Sequence, residues 1–61
     1  MGTTAAELEA NTRIVYLSRV YRVVKVWPPV NDRYGIDLQA ITVGYPDRSI
    51  TVGANYTFQM V

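Results

Sequence analysis

Few groups in this 61-residue chain are able to do chemistry. The carboxylates are Glu7, Glu9, Asp32, Asp37 and Asp47, and the cations are Arg13, Arg19, Arg22, Lys25, Arg33 and Arg48. Asp32 and Asp37 are the one carboxylate pair that invites an acid/base reading. The simpler reading makes Asp32 a turn residue and Asp37 a solvent-facing strand residue. Ser18 and Ser49 have no histidine to serve as a base, and no cysteine supplies a thiolate nucleophile or metal ligand. Gly35, Gly44 and Gly53 fall nine residues apart, which is a rhythm of turns and not a phosphate-cradling loop. The sequence therefore points away from an enzyme. It implies no cofactor, no metal and no small-molecule substrate.

Binding chemistry is better represented. Arg19, Tyr21, Lys25 and Trp27 occupy the odd positions of one β-prone run, and Arg33-Tyr34 follow in the next loop. Cations interleaved with aromatics on one sheet face suit single-stranded nucleic acid, through phosphate pairing and base stacking. Residues 13–61 carry six basic and three acidic groups, a local +3. Against this, the pI of about 8.1 lies below the range above about 9 expected of a dedicated binder. Surface cations also serve simply to keep a sheet soluble.

A second binding reading rests on apolar surface. Residues 49–61 hold no charge at all. An exposed, uncharged, β-prone segment is an aggregation hazard that native proteins cover. It lies either inside a sheet or against another subunit. Tyr16, Tyr21, Trp27, Tyr34 and Tyr45 are amphipathic aromatics of the kind enriched in interface cores. Trp27-Pro28-Pro29-Val30 forms a stiff element that could dock in a partner's groove. The expected contact residues are Tyr21, Trp27, Tyr34 and Tyr45, with Arg19 and Lys25 orienting the partner. Tyr56, Phe58 and Met60 are expected in the core or a subunit interface.

The elements that must position these groups are mostly strands. Thr4-Ala5-Ala6-Glu7 matches a capping box and is followed by Leu8, Glu9 and Ala10, which predicts a short N-terminal helical segment over residues 1–12. So short a helix is unstable alone, and Leu8 is the residue to dock it. From Arg13 the period becomes two, with a bend or bulge near Ser18-Arg19 separating strands at 13–17 and 20–27. Pro28-Pro29 ends the ladder. Gly35 opens a further strand, residues 44–48 form a turn, and Ile50/Val52 and Tyr56/Phe58/Met60 alternate with polar residues in the last two strands. The expected fold is all-β, a small antiparallel barrel or bent sheet over residues 13–61. The strand pattern resembles that of SH3-like barrels, with OB-like and Sm-like barrels as alternatives. The resemblance is one of pattern, without a family-specific motif.

Nearly half the residues, 49%, are apolar, and 19 of the 61 are Val, Ile or Thr. That composition excludes a disordered tail. A chain of about 60 residues buries only about 60% of its unfolded surface. With no disulfide or Cys/His metal site to help, a partner becomes the natural source of extra burial. No stretch is apolar enough to span a bilayer, because Arg19, Arg22 and Lys25 interrupt the most apolar region. Nothing at the N-terminus resembles a secretory signal. Asn55-Tyr56-Thr57 fits the glycosylation pattern but reads as a turn entering a strand. These observations predict a non-enzymatic protein-interaction or assembly subunit, homo-oligomeric or bound to another protein, with no membrane partner. A structural or accessory component of a larger particle such as a phage virion, or a cytoplasmic complex, is its expected setting. A nucleic-acid-binding barrel is the alternative.

Overall fold

Two tight turns set the architecture. Leu17 and Ser18 both adopt positive φ, 51° and 64°, and so do Asn31 and Asp32, 52° and 60°. Two successive positive φ values define the two-residue type I′ hairpin, whose twist matches that of the strands it joins. The first turn links β2 (Arg13–Tyr16) to β3 (Arg19–Val26). The second is closed by Val30 and Arg33, whose amides donate to each other's carbonyls at 2.9 and 3.0 Å, and it leads into β4 (Arg33–Ala40). β5 (Arg48–Gly53) and β6 (Thr57–Met60) follow. The computed structural model describes residues 2–61.

The expected N-terminal helix is not formed. Gly2–Thr4 is instead a strand, β1, paired with β6, and Ala5–Glu7 makes a single 3-10 turn. Met1, where the expected segment begins, lies outside the described residues. The capping-box residues do meet, but side chain to side chain: Thr4 Oγ1 donates to Glu7 Oε1 at 2.9 Å, and Thr4 makes no side-chain cap to the backbone. Strand pairing wins over helix propensity here because one isolated helical turn has too few hydrogen bonds to offset its nucleation cost. The turn is docked as expected, through buried Leu8 together with Ala5.

All six strands form one antiparallel sheet in the order β1-β6-β2-β3-β4-β5. The expected barrel is corrected, since the terminal strands β1 and β5 do not pair and the sheet stays open. It is nevertheless curled. In a flat sheet β5 and β6 would lie four strand spacings apart, about 19 Å. Gly53 and Thr57 are joined by Ala54, Asn55 and Tyr56, and four Cα steps reach at most about 14 Å. The edges must therefore approach, and backbone bonds link them at that corner. Ala54 N–H donates to Asp32 O, Ala6 N–H to Ala54 O and Ala5 N–H to Tyr56 O.

The concave face holds the core: Ala5, Leu8, Ile14, Tyr21, Val23, Ile36, Leu38 and Phe58. Half-buried Tyr34, Ile50, Val52 and Met60 pack around it. β6 lies inside the sheet between β1 and β2, so the uncharged C-terminal strand is covered by its own chain. The expected bend near Ser18-Arg19 is the hairpin turn itself. The bulge falls further on, at Val24, where β3 slips one residue against β4 between Val23 and Lys25.

Candidate interaction surface

That bulge decides which side chains face outward and which face the core. Upstream of Val24 the odd positions of β3 face the core, and Tyr21, opposite Ile14, is 1% exposed. Downstream the parity is reversed: Lys25 stands opposite Asp37 on the outer face, and Val26 opposite buried Ile36. A bulge places two residues against one and so re-aims every side chain after it. Arg19, Tyr21, Lys25 and Trp27 therefore do not share one face, as their spacing suggested. Tyr21 and Phe58 are core residues, closed to any partner of the folded chain.

The remaining expected contact residues separate into groups. Lys25 and Trp27 come together on the outer face, with the Lys25 ammonium 3.7 Å from the indole centroid. Arg19 and Tyr45 meet at the end of the sheet near the first hairpin turn, with the guanidinium carbon 3.9 Å from the ring centroid. Tyr56 is exposed and packs on Phe58, ring centroids 4.9 Å apart, while Tyr34 and Met60 are half-buried against the core.

Trp27 is the best-defined of these groups. It is 47% exposed, yet its indole is held at several points. Its Nε1 donates to Asp37 Oδ2 at 3.0 Å, and Ser49 Oγ donates to the other oxygen, Oδ1, at 2.9 Å. Its backbone N–H donates to Gly35 O at 2.8 Å. Gly35 presents bare backbone beneath the ring, and a Cβ there would lie 3.6 Å from Trp27 Cβ and Cδ1. Beside the indole opens a groove of about 470 Å³. It is lined by apolar Trp27, Pro28 and Val30, by Gly35 and Thr51, and by polar Asn31 and Arg33.

The outer face is strongly cationic. Register places Arg13, Arg22, Lys25 and Arg33 on it, and Asp37 is its one acid among the described residues. Arg13 stands directly opposite Arg22, a like-charge pairing that costs stability. Arg22 is held in place by acceptors on both sides, Asn11 Oδ1 at 2.7 Å and Gln39 Oε1 at 2.9 Å. No group of three or more metal-ligating side chains occurs among the described residues, and no helix is long and apolar enough to cross a membrane.

The free edge of β5 completes the surface. In an antiparallel ladder, residues alternate between bonding the neighbour and pointing away. On β4, Gly35 bonds toward β3, so Tyr34, Ile36 and Leu38 bond toward β5 and engage Val52, Ile50 and Arg48. Ser49 and Thr51 consequently aim their backbone N–H and C=O groups off the sheet, whereas the Gly53 carbonyl accepts from Tyr56 N–H at 3.1 Å. Gly35, Thr51 and Ser49 were not recognised from the sequence as site residues. The available signal was Gly35 itself, a glycine inside a strand, where a close approach is the usual reason.

Fold and surface together define a small all-β domain with one open-edged antiparallel sheet. Comparison with known proteins finds no matching family model and no curated protein with significant similarity.

Proposed function

We infer that the chain is a non-catalytic interaction and assembly subunit that joins a larger complex by extending its sheet at β5. The observation that carries this is the edge itself. Ser49 and Thr51 offer unpaired backbone N–H and C=O groups, the strand is uncharged after Arg48, and Ile50 and Val52 remain only half-buried. Such an edge is a template for another strand, and no bulge, proline or lysine blunts it. An SH3-like strand pattern describes the scaffold behind this reading by analogy, and a particle such as a phage virion is its most concrete setting. The test is sedimentation equilibrium of the purified chain, alone and with proteins recovered on it. A defined oligomer or stoichiometric complex is expected, and it should be lost in Thr51→Pro, which removes an outward N–H at a position where an edge strand tolerates proline. A monomer at every concentration, with no stoichiometric partner, overturns the reading.

A second reading has its own support: the four outer-face cations beside an exposed tryptophan suit single-stranded nucleic acid. It ranks lower because Lys25 already covers one face of the indole on which a base would stack. It requires oligonucleotide affinity that falls steeply with salt and weakens in Lys25→Ala and Trp27→Ala.

A further inference from the structure

The groove and the β5 edge are parts of one device, because register aligns them. Trp27, the residue after β3, forms a single row with Gly35 of β4 and Thr51 of β5, and Arg33 and Gly53 form the next row. The geometry points to a specific occupant: an extended acidic segment that pairs antiparallel with β5 and carries a large apolar side chain preceded, two residues earlier, by a carboxylate. This rests on the β5-edge reading and states which partner it takes.

A strand added beyond β5 would lie two spacings from β4, about 9.6 Å. A side chain opposite Thr51 on the outer face would then cross Thr51 toward the gap left by Gly35, where the indole, Pro28 and Val30 offer apolar walls. The outer-face residue two earlier, opposite Gly53, meets open space, since a Cβ at Gly53 would contact nothing within 4 Å. Arg33 can reach over that gap, and a guanidinium and a carboxylate together span two strand spacings. Charge selects the same partner, because four cations share this face with Asp37, whose two oxygens already accept from Trp27 and Ser49. The backbone at Gly35 needs no positive φ and has room for a Cβ in ordinary contact. What the missing side chain leaves is the groove.

Trp27 is the only tryptophan, so its emission reports occupancy directly. The wild-type chain is titrated with the capped peptide Thr-Glu-Thr-Phe-Thr, with Thr-Lys-Thr-Phe-Thr and with oligothymidylate. A saturable emission change with the Glu peptide is expected, with affinity at least tenfold weaker for the Lys peptide, as the loss of one charge-assisted pair implies. Arg33→Gln, an exposed change, should erase that preference. Gly35→Val should abolish the response while leaving the melting temperature equal or higher, because valine suits a strand better than glycine. An absent response, equal affinity for both peptides, or tighter binding of oligothymidylate overturns the proposal. If Thr51→Pro abolishes assembly while the peptides give no response, the groove assignment fails and the edge reading stands. If the Glu peptide binds wild type as described but the chain forms no complex of its own, the assembly reading fails and the groove assignment stands.

Discussion

Tyr21 and Trp27 belong to the same extended run, yet one closes the core and the other lies half in solvent. Their substitutions should differ accordingly. A buried aromatic cut to alanine costs about 3–5 kcal/mol, while a domain of this size holds about 3–9 kcal/mol in total. Phe58→Ala, at 1% exposure, is expected to abolish most folded structure, read as loss of the cooperative urea transition in far-UV circular dichroism. Asp37→Asn is milder. It weakens two charge-assisted acceptors, to Trp27 Nε1 and Ser49 Oγ, at a half-buried site where solvent screens part of the gain. About 1 kcal/mol should be lost, together with a change in Trp27 emission as the indole loosens.

Among the elements, the two hairpin turns share a backbone but not a chemistry. Asn31-Asp32 are residue types that tolerate positive φ, whereas Leu17-Ser18 are not. Leu17 is exposed and contributes nothing to the core. The double change Leu17→Asn and Ser18→Gly is therefore expected to stabilise the chain by about 1 kcal/mol. Calorimetry should show this as a melting temperature higher by about 4–8 °C. The same turn shows where the sequence is opaque. Leu17-Ser18 carries no turn signal, so the first hairpin reads as one long bent strand. Val23-Val24 conceals the bulge, because adjacent valines fit either face equally, and the odd positions of this run change faces across it. By contrast, Ser49 to Val52 and Thr57 to Met60 alternate cleanly and are strands as their pattern says. Period two also brings Lys25 beside Trp27. Gly35, Thr51 and Arg33 join them only through the β4–β5 register, which is tertiary information. β1 is a strand because β6 is there to pair with it, and local propensity says nothing of that.

For the molecule as a whole, closure depends on the N-terminal residues. β1 covers the outer side of β6, and Ala5 and Leu8 seal the core beneath it. Burying a leucine contributes about 1.5–3 kcal/mol, so removal of residues 1–10 should consume roughly the whole margin of a domain this small. The truncated chain is expected to lose its sharp thermal transition in circular dichroism, and a retained cooperative melt would show that the remaining strands suffice. The place of β6 between β1 and β2 also carries a consequence in time. On a ribosome, β3, β4 and β5 can each pair with the strand just made, but β1 has no neighbour until Met60 has emerged. The first strand translated is among the last to be paired. A ribosome stalled before Thr57 holds a meander with an open core, and delivery of the final strand is what turns it into a finished domain.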